Sequence, residues 1–204
     1  MKLRRIAWLI PIGSGRDAAS NSNKKGGTMP TLRFTIQGLS PLLMHNPAAM
    51  KGADSKRIER KVIPTAEAEA EVSTYRLPNG DLCLKAVAIR NAIIKATVGM
   101  RIGKKAASPY FSGALLPKDL FFPLVDGKGK PLREYEVDVQ RAVVQRQGIL
   151  RGRARIDLPW HLICEFDFVP IITEEHLRQA IAQAGQTVGI GDYRVEKKGW
   201  YGRF

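Results

Sequence analysis

Thr31 to Gln37 reads TLRFTIQ, with Leu32, Phe34 and Ile36 alternating against Arg33, Thr35 and Gln37. A period of two predicts a half-buried strand, ended here by Gly38 and Pro41. The next stretch, residues 41–76, mixes apolar and basic residues with prolines and predicts a long functional loop. Pro78-Asn79-Gly80-Asp81 is a turn, which makes Ser73 to Leu77 and Leu82 to Leu84 a short hairpin. Ala86 to Val98 (AVAIRNAIIKATV) has helical spacing, with Val87, Ile89, Ile93, Ile94 and Val98 on its apolar side. Gly99 and Gly103 then release the chain into a basic connector, and Leu120 to Val125 predicts another strand. Glu134 to Gln147 and Ile156 to Val169 read as two long strands of a hairpin, with the arm RQGILRGRAR hanging between them. Thr173 is placed to cap a helix whose first turn holds Glu174 and Glu175 at the positive end of the dipole. Gly185 is its expected terminator, and WYGRF its expected following strand.

Without the insertions the order is strand, helix, strand, strand, helix, strand. That order predicts an α+β domain with a ferredoxin-like, RRM-like split βαβ sheet, carrying an inserted basic β-hairpin arm. One face of such a sheet is open to ligands, and single-stranded RNA binders use it. Of the 204 residues, 29–204 form the expected single domain. Residues 1–28 are set apart as a disordered or mis-assigned leader. Its apolar run, Ile6 to Ile12, is short and contains Pro11, and residues 13–28 have a linker's composition. No apolar run approaches the ~20 residues that span a bilayer, so no membrane partner is expected.

Charge changes the picture most. Lys and Arg number 33 against 19 Asp and Glu, a formal net charge of +14. This excess predicts a polyanionic partner. The cations are concentrated in two windows without a carboxylate. Leu82 to Lys118 holds Lys85, Arg90, Lys95, Arg101, Lys104 and Lys105, and Val139 to Ile156 holds Arg141, Arg146, Arg151, Arg153 and Arg155. A merely solvated face mixes signs, so such one-sidedness points to phosphates. Arginine suits them through its planar fork. Tyr110, Phe111, Tyr193, Trp200 and Tyr201 are candidate base-stacking rings, although Trp200 or Tyr201 taken alone fits a core cap better. The two cysteines, Cys83 and Cys164, sit in apolar runs, which reads as buried thiols in a reducing, cytoplasmic setting. They lack the spacing of a zinc site, and neither metal nor cofactor is expected.

The chain closes on VGIGDYRVEKKGWYGRF. This is neither a Walker loop nor a dinucleotide fingerprint. Gly189, Gly191 and Gly199 are expected to bring the backbone up to a phosphodiester, with Arg194, Lys197, Lys198 and Arg203 supplying charge. A glycine-rich loop between the second helix and the last strand resembles the signature of the RAMP superfamily of CRISPR-associated proteins. LCLKAVAIRNAIIKA resembles that superfamily's short strand feeding an apolar helix. The resemblance implies a subunit that coats single-stranded RNA, or single-stranded DNA, as a homo-oligomer or filament, with RQGILRGRAR in the place of the inserted arm. The chain is shorter than many of those subunits, which leaves open a stand-alone relative of the kind a phage or mobile element carries. The resemblance also implies an alternative to pure binding, a metal-independent endoribonuclease. His45, in LLMHNP, is its candidate general acid or base, with Lys51 and Lys56 near it in sequence. Asp54 is a weaker candidate for a cleaving acid.

Overall fold

A computed structural model describes residues 29–47, 65–144 and 147–204, with the backbone alone for 142–144 and 147–149. Arg146, Lys51, Asp54, Lys56 and the leader lie outside the described residues. The expected α+β class is observed, with antiparallel sheets and helices. The main sheet contains β1 (Thr31–Gln37), β3 (Cys83–Lys85), β6 (Leu115–Pro117), β7 (Phe121–Val125) and β10 (His161–Phe168). Its order is β1-β10-β7-β3, with β6 paired to the far end of β10. β1 opposes β10 from Thr31↔Asp167 to Gln37↔His161.

Alternation decides which face is covered. Leu32, Phe34 and Ile36 of β1 are buried with Leu162, Cys164, Phe166 and Phe168 of β10. Phe166 ties three strands together, its ring 5.9 Å from that of Phe34 and 5.4 Å from that of Phe122. The covering layer is α2 (Ala86–Ala96) and α4 (Glu174–Thr187), which pack against each other. α2 differs from its expected apolar side. Val87 and Val98 are exposed, and the buried set is Ala86, Ile89, Ala92, Ile93 and Ala96. Alanines suit this place because α4 also buries alanines, Ala180 and Ala184, and small residues on both helices allow close approach. The basic connector is a small hairpin, β4 (Arg101–Ile102) with β5 (Lys105–Ala106), leading into α3 (Ala107–Ala114).

The arm is also corrected. β8 (Glu136–Val144) pairs with β9 (Gln147–Ile156), from Glu136↔Arg155 to Val144↔Gln147. RQGILRGRAR is therefore mostly one strand of the hairpin, not a connection between two longer ones. After the cis Leu158–Pro159 peptide the chain joins the main sheet as β10. β2 (Leu42–Leu43) extends the arm's sheet in the order β2-β9-β8. α1 (Ala66–Val72), which the loop expectation missed, packs on β9 and β8. Its Glu69 carboxylate accepts from the Gly152 amide at 3.0 Å where β2 no longer pairs. Both cysteines are buried free thiols, and burial pushes the Cys83 thiol up to about 11 and raises that of Cys164 as well. No described helix is long and apolar enough to cross a membrane.

Gly185 does not end α4, which continues to Thr187. It is the point where the C-terminal residues lie against the helix: a Cβ there would be 1.9 Å from the Phe204 carbonyl oxygen. Alanine normally favours a helix interior over glycine by about 1 kcal/mol. Here Gly185→Ala is expected to destabilise the fold by about 1–3 kcal/mol, the usual range for overpacking. A thermal melt followed by circular dichroism checks the sign, and a raised midpoint would show that this contact is slack.

Candidate nucleic-acid interface

Residues 188–204 follow α4 and fold back on the chain that precedes them. The Gly189 amide donates to the Ala184 carbonyl at 2.8 Å, and its φ of +71° makes it the true left-handed terminator of α4. Gly191 meets β2: a Cβ there would be 2.5 Å from the Leu43 carbonyl oxygen, which accepts from the Asp192 amide at 2.8 Å. The Gly199 amide donates to Arg194 at 3.1 Å, and a Cβ at Gly199 would strike the Tyr193 carbonyl. These glycines bring the backbone close to the protein itself. The amides of Gly189 and Gly199 are spent internally, which closes the expected amide route to a phosphate at those two positions. The expected last strand is reduced to an Arg194↔Tyr201 bridge and bonds from Gly202 to Pro41 and from Leu39 to Arg203.

A cleft of about 500 Å³ opens between this loop, the start of α2 and the end of β2. It brings together His45, Lys85, Asn91, Lys95, Gly191 and Arg194, which the sequence holds far apart. His45 stands just past β2 because the Met44 amide donates to Ala154 and the Asn46 amide to Ser73, both at 2.8 Å. The Tyr75 hydroxyl donates to the His45 carbonyl at 3.3 Å, and the Lys85 ammonium lies 5.2 Å from the Tyr75 ring centre. Burial lowers the His45 pKa. Asp192 opposes that shift, and Arg153 and Arg151 add to it.

The cations of the two windows divide into two kinds. Some are engaged by the protein. Arg90 donates to the carbonyls of Leu115, at 2.8 Å, and Ser112, tying α2 to α3 and β6. Lys95 and Arg194 both pair with Glu196, and Arg194 also donates to the Gly191 carbonyl at 3.2 Å. Arg153 is buried, with Nε 2.8 Å from an Asp192 carboxylate oxygen and the guanidinium 5.4 Å from the Tyr193 ring centre. Arg155 pairs with Asp157 at 2.9 Å and lies 3.7 Å from Asp138. The others face outward. Arg101, Lys104 and Lys105 are exposed on the β4–β5 hairpin, Arg141 on the arm, and Lys197, Lys198 and Arg203 on the closing loop. Arg151 is half-buried on the arm, close enough to His45 to bias its titration.

Sequence reasoning passed over the carboxylates that anchor these groups. Asp138 accepts from the Tyr201 hydroxyl at 3.1 Å, and that hydroxyl accepts from Gln140 at 2.7 Å. The closing loop is thereby bolted to the arm. GDYRVE, with its two acids inside a basic loop, was the available signal for Asp192 and Glu196. Of the candidate rings, Phe111 and Tyr201 are buried, while Tyr193 and Trp200 are exposed. His176 is structural, its amide and Nδ1 completing a capping box with Thr173. No group of three metal-ligating side chains occurs among the described residues. Comparison of the chain with protein-family models finds no match, and a search of curated proteins finds none.

Because burial disfavours the charged imidazole, folded His45 binds its proton less tightly than unfolded His45 does. Its contribution to stability is complete above the ordinary value of about 6.5 and is lost as pH falls through the lower folded value. The stability difference between wild type and His45→Gln should therefore shrink between about pH 7 and pH 5. Denaturant melts across that range check it, and an imidazole NMR midpoint above 6.5 would reverse the sign.

Proposed function

We propose that the protein binds single-stranded nucleic acid through phosphate contacts, without sequence readout, in and around the cleft. One observation carries the reading: the acids of the cleft, the arm base and the loop that meet cations are already paired, and many exposed cations are not. Asp138, Asp157, Asp192 and Glu196 are all in ion pairs. Arg101, Lys104, Lys105, Arg141, Lys197, Lys198 and Arg203 are exposed and form no ion pair among the described residues. Such a surface holds counterions that a polyphosphate releases. The preference for RNA over DNA, and for a repeating subunit along the strand, rests on the RAMP resemblance. Val139 and Leu150 on the arm are exposed and offer apolar surface for contact between copies.

The strand order supports the ferredoxin-like reading. β1 and β7 are joined through α2 with β10 between them, which is a split βαβ arrangement. The hairpin arm is inserted between β7 and β10. The ligand face differs from that of an RRM: the uncovered side carries Glu165 and Asp167, both beside Lys118. Mixed charge makes it a poorer phosphate surface than the cleft.

Binding of labelled RNA, single-stranded DNA and duplex, followed by anisotropy, tests the reading. Affinity for single strands should fall by tens-fold or more between about 50 and 150 mM salt, given a slope of roughly −0.7 per phosphate contacted. Lys104→Ala with Lys105→Ala should lower that slope. Equal or tighter binding to duplex would overturn the single-strand reading.

A second reading is favoured by one arrangement, His45 in the wall of the cleft with Lys85 and Arg194, where burial disfavours the charged imidazole. A neutral imidazole there can take the proton of a ribose 2′-hydroxyl as it attacks the neighbouring phosphate, while a cation stabilises the phosphorane. The P–O5′ bond then breaks as the 5′-oxygen leaves with a proton from water, giving a 2′,3′-cyclic phosphate and a 5′-hydroxyl. In the binding reading, His45→Ala leaves affinity nearly unchanged and wild type cuts no RNA in the presence of a chelator. Cleavage that His45→Ala abolishes would make the nuclease the correct reading.

A further inference from the structure

We propose that Trp200 is a single-nucleobase platform, a stacking site that fixes one base of the bound strand beside the arm. The inference rests on the nucleic-acid reading above and names the residue through which bases, as distinct from phosphates, are engaged. Trp200 is 58% exposed although the glycines on either side of it are seated against backbone. On its N-terminal side Gly199 sits against the Tyr193 carbonyl. On its C-terminal side Gly202 sits against the Ile190 carbonyl, where a Cβ would approach to 1.8 Å. The loop therefore cannot shift to bury the indole without losing both contacts.

The ring is supported from beneath. Its centre lies 4.4 Å from that of Tyr201, with 32° between the planes. Tyr201 is 3% exposed, and its hydroxyl is held by Asp138 and Gln140. An aromatic pair of this kind presents one open π-face in a set orientation, so little conformational freedom is lost when a flat ligand lands on it.

The surrounding charge selects the ligand. The loop's two acids, Asp192 and Glu196, are occupied by Arg153 and by Lys95 with Arg194. Lys197, Lys198 and Arg203, close to Trp200 in the chain, are exposed and form no ion pair among the described residues. A flat apolar face with free cations within three residues of it in the chain matches an unpaired base with its flanking phosphates. It fits a duplex poorly, because paired bases offer no free face.

Emission and affinity together test the proposal. Trp160 is fully buried, so among the described tryptophans only Trp200 is open to quenching by a stacked base. The probes are oligoadenylate RNA and inorganic polyphosphate, which carries charge without bases. Oligoadenylate should quench wild-type emission, and polyphosphate should bind without quenching. Trp200→Ala should weaken oligoadenylate binding roughly 5- to 150-fold and leave polyphosphate affinity unchanged. Trp200→Phe should retain most of the affinity and lose the quenching. If Trp200→Ala binds oligoadenylate as tightly as wild type, or weakens both probes equally, the platform is wrong while the phosphate reading stands. If wild type binds neither probe, the nucleic-acid reading itself fails.

Discussion

The closing loop can lie on the rest of the molecule only where the backbone carries no side chain. Leu43 reaches Gly191, and the Phe204 carbonyl reaches Gly185, at separations that a Cβ would make impossible. These contacts seat the loop on the end of α4 and on β2, which is already paired with β9 at the base of the arm. With the loop seated, Asp192 lies against Arg153 and Tyr201 against Asp138. His45 then has one wall of its cleft. The glycines in this segment are thus scaffold first, and whatever the loop binds is bound by the side chains that the scaffold leaves outside.

That division also explains the electrostatics. A net charge of +14 would be costly if the cations were packed together without relief. Instead, the carboxylates near the cleft are all paired, and Asp192 takes the buried arginine. Arg153 is the clearest case, since an unpaired guanidinium at 6% exposure would carry the full desolvation cost. The cations left over are those that water can reach. They keep their hydration, so releasing it and the attendant counterions on binding remains available as a driving force.

How much of this the sequence displayed depends on the range of the contact. β1 was legible because its alternation is local, and so were α2, the capped start of α4 and the turn at Asn79-Gly80. The helix faces were harder to read. Val87 and Ile89 look alike to a hydrophobic scale, yet only Ile89 is buried, together with the small residues Ala86, Ala92 and Ala96. The arm was misjudged because β9 reads as a loop when scanned for apolar alternation. Its alternation is of another kind, Arg151, Arg153 and Arg155 on one face with Gly152 and Ala154 on the other. The long-range polar contacts were invisible, since Asp138 and Tyr201 are 63 residues apart, Lys95 and Glu196 101, and nothing local links them.

The same contrast separates the two aromatic neighbours at the end of the chain. Trp200 and Tyr201 are adjacent, and either one alone suits a core cap. Their rings lie against each other, with 4.4 Å between centres, so the one beneath is covered by the other and only one of them can be the cap. The hydroxyl decides which, because a buried ring near Asp138 needs a group that can donate to a carboxylate and accept from an amide at once. Tyrosine does both, whereas an indole N–H only donates. Tyr201 therefore turns inward and Trp200 outward. The large apolar ring left in solvent is the cost of seating the polar one, and a stacked ligand on Trp200 would offset it.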